Sequence, residues 1–397
     1  MRQYDKMTPE GTRDLLFEEC DVRDFVSRRV AEVFKGHGYG KVSTPGIEFY
    51  DVFSSNSGSY PQESMYKLMD NHGRILVLRP DCTTPIARLV STKLKQQRPP
   101  FRLYYDQNVY RVTRSLSGGS NEIEQIGAEL VGSRSRMGDL EIISMATEAL
   151  DAVGIAQYRL EIGHIGFLNA LVARLDVPAQ TREEIRRLIN EKNYPALAVL
   201  LDELPKGEAV EALKQLPRLF GGVEVFETAR RLFRDEKAIS ILDYLKQVYL
   251  NLCQMGLESK LMVDLGLVNE NIYYTGVIFR GYVEGSGEAA LSGGRYDKLY
   301  EDYGEELDAT GFALDVDILA KTLLAANQYP KPKAAEVLVM YEAPYAVEAV
   351  IHTRSLMKVG IKSELGFFTD VEKARAYARE KGIPRIDLVS DQVKTIG

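Results

Sequence analysis

The chain has 397 residues, of which 45% are hydrophobic and 27% charged, and its formal net charge is −7. This length predicts two or three domains, and the composition is typical of a globular protein with a sizeable core. The acidic balance gives no sign of a nucleic-acid-binding surface. The sequence also lacks any apolar run of about 18 residues, which excludes a membrane-spanning helix.

Cysteine and histidine usage argues against disulfides and metal sites. Three scattered cysteines, Cys20, Cys82 and Cys253, cannot form a disulfide framework, and free thiols favour a cytoplasmic location. The N-terminus has no apolar secretory core. The four histidines show no metal-ligand spacing. We therefore expect no metal, no cofactor and no membrane attachment.

Helical and strand periodicities alternate in the first third of the chain. They predict, in order, a helix over 18–35, a short strand broken at Pro45 and Gly46, a strand over 74–79, a helix over 81–96, and strands over 101–111 and 123–131. The last two strands flank the polar, glycine-containing loop S-L-S-G-G-S-N. They therefore predict a long antiparallel hairpin.

The rest of the core follows the same alternation, interrupted by a charged helical stretch. We predict a helix over 138–153, a strand over 157–162, a mostly helical insertion over about 172–256, strands over 260–265, 272–283, 288–292 and 310–316, and a helix over 317–326. Together, residues 1–326 predict an α+β core, in which an antiparallel sheet is flanked by helices.

A separate module follows the core. The segment 327–333 contains two prolines and no periodicity, which predicts a linker. Residues 334–397 then read strand–helix–strand–helix–strand, a pattern typical of a small parallel sheet.

Six blocks of sequence carry a family resemblance. They are P-E-G-T-R-D-L-L (9–16), G-Y-G-K-V-S-T-P-G-I-E (38–48), L-R-P-D-C-T-T-P-I-A-R (78–88), V-Y-R-V-T-R…E-Q-I-G-A-E-L (109–130), I-Y-Y-T-G-V-I-F (272–279) and L-S-G-G-R-Y-D-K-L (291–299). In this order they resemble the histidyl-tRNA synthetase family and its catalytic-like paralogues. The resemblance implies the class II synthetase fold, with a dimer-forming first motif. It also implies that 334–397 is a truncated anticodon-binding-like module that stops after its third strand.

The resemblance implies a site that recognises histidine. Its members would be Asp81, Thr83, Arg111, Gln125, Glu129, Tyr273 and Tyr274. The ammonium of histidine needs acceptors, which Asp81, Thr83 and Gln125 would supply. The carboxylate, or a phosphate, needs a planar cation such as Arg111. The imidazole needs a partner at each ring nitrogen, for which Glu129 and Tyr274 match the family positions.

Each of these residues alone also fits an ordinary structural role. Asp81 is a plausible helix N-cap, and Arg111 a surface ion-pair partner. Gln125 and Glu129 alternate with apolar neighbours, as in any half-buried strand. The two tyrosines fit a strand core. Only the match of all seven residues to the family positions favours a histidine-binding site over these structural roles.

The nucleotide-binding positions depart from the synthetase pattern. Where the family carries an arginine next to a glycine, this chain has Asn269 and Glu270, and the motif 3 arginine falls on Ile318. The motif 2 loop carries no arginine, and only Arg111 and Arg114 remain. Losing one transition-state cation costs roughly a hundredfold to a thousandfold, so two losses predict a defect on the order of 10⁴-fold or more in ATP activation.

This combination resembles the paralogous family of ATP phosphoribosyltransferase regulatory subunits. The resemblance implies no catalysis by this chain, a hetero-oligomer with the short-form catalytic subunit, a homodimer within it, and L-histidine as the feedback effector. It implies no role for tRNA.

Two alternatives stay open at this point. An active histidyl-tRNA synthetase would need arginines near positions 269 and 318, and the sequence has neither. A synthetase-like sensor that binds tRNA or another partner would show strongly salt-dependent tRNA binding.

Overall fold

The computed structural model describes residues 4–54, 60–112, 120–268, 273–331, 333–368 and 370–396. The chain divides into two units, Met1–Tyr329 and Pro330–Gly397, which are described separately.

The first part of the larger unit contains three helices and six strands. They are α1 (Glu18–Gly36), β1 (Gly40–Lys41), β2 (Ile47–Phe49), β3 (Lys67–Met69), β4 (Ile75–Leu78), α2 (Thr83–Lys93), β5 (Phe101–Tyr110), β6 (Glu122–Val131) and α3 (Arg136–Val153). α1 buries Val22, Val26 and Val30, one helical turn apart, against the core. The Ser135 hydroxyl caps the start of α3, and Gly154 ends that helix with a φ of 89°.

The second part of this unit contains the helical insertion and the returning strands. Its elements are β7 (Tyr158–His164), α4 (Ile165–Ala173), α5 (Ala179–Asn190), α6 (Tyr194–Asp202), α7 (Glu208–Gln215), β8 (Phe220–Gly221), α8 (Glu224–Leu232), α9 (Glu236–Gln254), β9 (Leu261–Asp264), β10 (Val277–Val283), β11 (Ala289–Arg295), β12 (Ala309–Asp315) and α10 (Val316–Ala326). The helical stretch thus begins at Ile165, directly after β7 and earlier than the predicted residue 172.

A nine-stranded sheet runs through the larger unit, in the order β1-β5-β6-β12-β11-β10-β7-β9-β8. All neighbours are antiparallel except the β1–β5 and β7–β9 pairs, which are parallel. The predicted long hairpin is β5–β6, in register from Phe101 opposite Val131 to Tyr110 opposite Glu122. The larger unit therefore has the predicted α+β architecture, in which a mainly antiparallel sheet is flanked by helices.

Strand alternation divides β6 between two environments. Ile126, Ala128 and Leu130 face a large apolar core shared with α1 and α3. Gln125 and Glu129 face the opposite side. Neighbouring strands place glycines on that side, because Gly311 of β12 lies opposite Glu129 and Gly294 of β11 lies opposite Gly311. This face of the sheet carries the candidate site.

A separate three-stranded antiparallel sheet has the order β2-β4-β3. Phe49, Leu76 and Leu68 lie opposite one another in register and therefore share one face. Ile47 and Leu78 continue that face. Its members Ile47, Phe49 and Leu68 are 43–49% exposed, which leaves an apolar surface open.

The smaller unit contains β13 (Val337–Tyr341), α11 (Ala346–Lys358), β14 (Ser363–Leu365), α12 (Val371–Lys381), β15 (Arg385–Val389) and β16 (Val393–Thr395). Strands β14, β13 and β15 are parallel, as predicted. The sequence interpretation ended the module at a third strand, and this was wrong, because β16 adds a fourth, antiparallel strand. Its three residues are all exposed, so no apolar alternation marked it as a strand.

A second correction concerns the two adjacent tyrosines. The predicted strand over 272–283 would include Tyr273 and Tyr274, but β10 begins only at Val277. The backbone N–H groups of Thr275 and Gly276 both donate to the carbonyl of Arg295, at 2.8 and 3.4 Å. This shared acceptor replaces a regular ladder, so the tyrosines lie in an irregular segment at the end of the sheet.

Across the described ranges, no helix has both the length and the apolar character needed to cross a membrane.

Candidate ligand-binding site

One recess on the glycine-bearing face of the sheet contains all seven predicted site residues. It is lined by Asp81, Cys82, Thr83, Tyr105, Arg111, Gln125, Glu129, Tyr273, Tyr274, Ser292, Tyr296, Gly311, Phe312 and Ala313. The space between them, including its mouth, amounts to about 350 Å³. A water-sized sphere has only about 20 Å³ of that space in which to move, so the lining side chains nearly close the recess.

Glu129 is the buried polar centre of this recess. The Thr83 hydroxyl donates to its Oε1 at 2.8 Å, and the Tyr296 hydroxyl donates to its Oε2. Burial raises the pKa of the Glu129 carboxyl to about 8, while the two hydrogen bonds oppose that rise. The nearby Asp81 charge raises it further. The group therefore titrates close to neutral pH, where a small change in its surroundings alters its charge.

Asp81 lies at the start of α2 and serves two roles. Its Oδ1 accepts the Thr84 N–H at 2.9 Å, and its Oδ2 accepts the Thr84 hydroxyl at 3.2 Å. The N-cap interpretation is therefore correct, and the same side chain lines the recess. Burial raises its pKa, whereas the Arg111 charge and a hydrogen bond from Tyr60 favour the ionised form.

Arg111 and Gln125 also line the recess. The Arg111 Nε donates to the carbonyl of Pro80 at 2.7 Å, which fixes the guanidinium beside Asp81. Gln125 lies between Gln107 of β5 and Asp315 of β12 in the sheet register. The recess thus offers a carboxylate, an amide and a guanidinium around one space.

Three tyrosines form the aromatic wall. The ring centroids of Tyr273 and Tyr274 are 4.9 Å apart, and both rings pack against Tyr296, at 5.6 and 6.4 Å. Glycines make room for this wall, because a Cβ on Gly294 would lie 2.8 Å from Tyr274 Cδ1. A Cβ on Gly311 would overlap Glu129 Oε2. Both glycines are therefore required by close approach rather than by a turn.

The sequence interpretation missed Tyr296, which contacts Glu129 directly. Its only signal was its place in the quoted block L-S-G-G-R-Y-D-K-L. The neighbouring Arg295 explains how that segment is held. The Arg295 Nε donates to Asp139 Oδ1 at 2.9 Å, and its NH1 donates to the Ser133 carbonyl at 2.9 Å. These bonds fix the end of β11 to α3 and so orient the next residue, Tyr296.

Beyond Ala313, the last lining residue on β12, the strand leads to the start of α10. Asp315, opposite Gln125, caps this helix by accepting the Ile318 N–H at 3.0 Å. Burial raises the Asp315 pKa to about 6, so the group is mostly ionised at pH 7. Asp317 follows in the first turn, and Ile318 packs against the apolar core. Asn269, Glu270, Arg114 and residues 115–119 of the motif 2 loop lie outside the described residues.

Comparisons with known proteins agree on the lineage. The family model for histidyl-tRNA synthetase matches residues 11–319. The ATP phosphoribosyltransferase regulatory subunit of Clostridium kluyveri is 42% identical over 387 residues, covering 96% of this chain and 99% of the relative. The protein of the same name from Clostridium botulinum is 39% identical over 386 residues, covering 96% and 92%. The chain belongs to the histidyl-tRNA synthetase-like family that includes the ATP phosphoribosyltransferase regulatory subunits.

Solved structures support the same family. A Bacillus halodurans structure, described as an ATP phosphoribosyltransferase regulatory subunit/histidyl-tRNA synthetase, matches with a TM-score of 0.83 and 31% identity, covering 94% of this chain and 97% of that one. Histidyl-tRNA synthetase from Nostoc matches with a TM-score of 0.79 but only 19% identity, covering 100% and 97%, and so shows the fold alone. The resemblance identified from the sequence blocks is confirmed.

No group of three or more side chains suited to hold a metal ion occurs in the portion of the chain that the structure describes.

Proposed function

We propose that this chain is a non-catalytic regulatory subunit of ATP phosphoribosyltransferase, which binds L-histidine in the recess and mediates feedback inhibition. In this proposal the short-form catalytic subunit requires the chain for activity. The observation that carries the proposal is the composition of the recess. Side chains suited to histidine converge in the recess, the histidine end of the proposed site. At the start of α10, its nucleotide end, the carboxylates Asp315 and Asp317 precede the uncharged Ile318, where a synthetase would carry a cation.

The histidine end offers a partner for each polar group of the ligand. Asp81 and Gln125 provide acceptors for an ammonium group, and Arg111 provides a cation for a carboxylate. Glu129 and Tyr274 can satisfy the two ring nitrogens of an imidazole. A site built from such buried polar pairs rejects ligands that lack them, because the site groups are then left unpaired.

The other end disfavours a nucleotide. A helix N-terminus normally attracts phosphate through its free N–H groups. Here the Ile318 N–H already donates to the Asp315 carboxylate, and Asp317 adds a second acidic side chain in the same turn. An approaching triphosphate would meet the Asp315 carboxylate, whereas Asp317 is paired with Arg23, and the side chain at position 318 is uncharged. This arrangement supports a subunit without amino-acid activation.

A homodimer is part of the proposal. The exposed apolar face of the three-stranded sheet contains Ile47, Phe49 and Leu68. Such a face is unfavourable in water and favours a second copy of the chain, in line with the dimer-forming motif in residues 38–48. The acidic net charge argues against tRNA as a partner, and the free cysteines suit a cytoplasmic location.

Adjacent residues on opposite faces of β3 provide the dimer test. We expect Leu68→Glu to convert the dimer to monomer at micromolar concentration, as measured by light scattering after size exclusion, because it places a charge on the apolar face. Met69 is 75% exposed and points to the other face, so Met69→Glu should leave the dimer intact. If Leu68→Glu and Met69→Glu had the same oligomeric state, this interface would be contradicted.

Reconstitution tests the function. The purified chain is mixed with the short-form catalytic chain from the same source, and phosphoribosyl transfer to ATP is followed with and without histidine. We expect activity only in the mixture, and its inhibition by histidine. Robust histidine- and tRNA-dependent aminoacylation by the chain alone would instead establish the synthetase alternative.

A further inference from the structure

We infer that the outer face of helix α11 is a contact surface for a second copy of this chain, on which two α11 helices pair in antiparallel orientation. The outer face consists of six exposed residues of this helix: Val347, Val350, Ile351, Arg354, Met357 and Lys358. The contact goes beyond the proposed function, since it lies in the smaller unit and includes none of the recess residues.

Helical spacing brings these residues to one side of α11. Residues three, four and seven positions apart lie on the same face of an α-helix, and Val347, Ile351 and Arg354 follow this spacing. Ala349 and Leu356 lie on the opposite side, where they are buried in the core of the smaller unit. The helix therefore packs on its sheet through one side and presents the other side to water.

The outer face of α11 is apolar, in contrast to that of its neighbour α12. Val347, Ile351 and Met357 are 59–68% exposed, and Val350 is 39% exposed. Helix α12 packs on the other face of the same sheet, but its exposed residues are small or charged: Glu372, Lys373, Ala376, Arg379, Glu380 and Lys381. Exposing four large apolar side chains on one helix face is unfavourable in water, and burial against a second apolar surface removes that exposure.

The charges along α11 favour a second copy as the occupant of this face. Glu348 lies in the first turn, whereas Arg354 and Lys358 lie in the second half of the helix. Within the described ranges of the chain, none of these three side chains takes part in an ion pair. An acidic start and a basic end attract each other when two such helices run antiparallel, and like charges meet when they run parallel.

The register of the pair follows from its symmetry. A two-fold axis through the midpoint of α11 places residues that are equally far from the midpoint, on opposite sides of it, at the same level. Val347 of one copy is then level with Met357 of the other. Glu348 is level with a point between Arg354 and Lys358 of the other copy, each about 3 Å away along the helix axis. Apolar and charged groups are thus matched in one arrangement.

Such a contact is weak in isolation. One helix face buries much less than the roughly 1,200 Å² of a stable specific interface. We expect self-association through α11 at about 100 µM and none at a few micromolar. A hetero-oligomer that holds two copies of the chain raises their effective concentration to roughly the millimolar range, in which the contact forms.

The first experiment compares the molar mass at about 5 and about 300 µM by sedimentation equilibrium. We expect the wild-type mass to rise toward twice its value at the lower concentration. Ile351→Glu should abolish this rise, because it places a charge at the centre of the outer face. Ala376→Glu is the matched control, since it adds the same charge to the exposed face of α12, and its mass should rise as in the wild type. A constant wild-type mass, or a rise in Ile351→Glu, would overturn the inference.

Charge reversal tests the antiparallel orientation. Glu348→Lys makes both ends of α11 basic, and Arg354→Glu combined with Lys358→Glu makes both ends acidic. Each variant alone should associate about tenfold more weakly than the wild type, since like charges meet across the pair. An equimolar mixture of the two should recover the wild-type association at low salt. If the mixture associates no better than either variant alone, the antiparallel pairing is wrong.

The α11 contact is separable from the dimer proposed through the three-stranded sheet. In a Leu68→Glu background the mass should still double with concentration, and adding Ile351→Glu should prevent it. If the wild type is a monomer at low concentration, the proposed homodimer fails, while the ratio of the two masses still decides the α11 contact. If Ile351→Glu abolishes binding of the short-form catalytic chain but leaves self-association unchanged, the outer face belongs to that partner and the inference is overturned.

Discussion

The two ends of the proposed site use the same chemical group in different ways. The Glu129 carboxyl lines the recess, is buried and is held by two hydroxyls, so it can meet a ligand in a defined position. The Asp315 carboxylate, which is not among the lining residues, caps α10 by accepting the Ile318 N–H. Under the proposed function the first carboxyl serves histidine binding, and the second disfavours a phosphate at the start of α10.

The difference lies in local partners rather than in the fold. β6 and β12 pair in register from Gln125 opposite Asp315 to Glu129 opposite Gly311. Both carboxyls have pKa values raised by burial, to about 8 for Glu129 and about 6 for Asp315. At pH 7 the Asp315 carboxyl is therefore ionised to a larger extent than the Glu129 carboxyl.

Removing the carboxylate of the histidine end should produce the largest effect. We expect Glu129→Gln to weaken histidine binding on the order of a hundredfold at pH 9, where the Glu129 carboxyl is ionised, because a charge-assisted hydrogen bond is lost and the amide adds a competing donor. Calorimetry measures the change. Glu122→Gln is a matched control on the same strand, since Glu122 bonds Asn108 and Tyr110 and is not among the recess residues. Equal losses in both variants would contradict a specific role for Glu129.

Reversing the charge at the start of α10 should have a smaller effect, a gain in ATP affinity rather than a loss of histidine affinity. Asp315→Asn keeps a good helix cap, and combined with Ile318→Arg it replaces a negative charge with a positive one. We expect this double variant to bind ATP about tenfold more tightly than the wild type, with a dependence on salt. Histidine affinity should be unchanged. The control is Asp315→Asn with Ile318→Leu. An unchanged ATP affinity would show that other features exclude the nucleotide.

The pH dependence of stability gives the smallest expected effect. Burial raises the folded-state pKa of Glu129 to about 8, above the ordinary glutamate value of 4.5, so the folded state holds the proton over that interval. Stability contributed by this proton is present at low pH and is lost as pH rises through about 8, at a rate of at most about 1.4 kcal/mol per pH unit. Denaturant unfolding between pH 5 and 8 should therefore show a shallower decline in Glu129→Gln than in the wild type. Identical slopes would mean that Glu129 is ionised throughout.

Much of the recess could be predicted because its residues lie in short blocks with recognisable chemistry. Asp81 and Thr83 are two positions apart, and Gln125 and Glu129 fall on one face of a strand by simple alternation. The seven residues carried over from the family resemblance line one space, although their contacts with histidine stay a prediction.

Tyr296 could not be predicted in the same way. Its bond to Glu129 joins residues 167 positions apart. Glu129 lies on β6 and Tyr296 directly follows β11, and β12 separates these two strands in the sheet. Nothing local distinguishes Tyr296 from Tyr300, which has the same residue type in the same segment but an unpaired hydroxyl within the described chain. Only the tertiary arrangement decides which tyrosine meets the carboxylate.

The strand boundaries at the ends of the sheets are a second feature that local sequence patterns do not predict. The apolar and aromatic run 272–283 predicted one strand, yet Tyr273 and Tyr274 leave the ladder because Arg295 accepts from two successive N–H groups. β16 is the opposite case, a strand that the sequence pattern did not predict. Three exposed residues form a strand because the edge of β15 is available, a condition set by the assembled sheet.

Parallel calorimetric titrations of L-histidine and of ATP into the purified wild-type chain test the central claim most directly. Histidinol, which lacks the carboxylate, is the matched ligand that reports on Arg111. The account predicts saturable histidine binding, weaker histidinol binding and no ATP binding under the same conditions. Tight ATP binding would contradict it, because it would mean that the carboxylates at the start of α10 do not exclude the nucleotide.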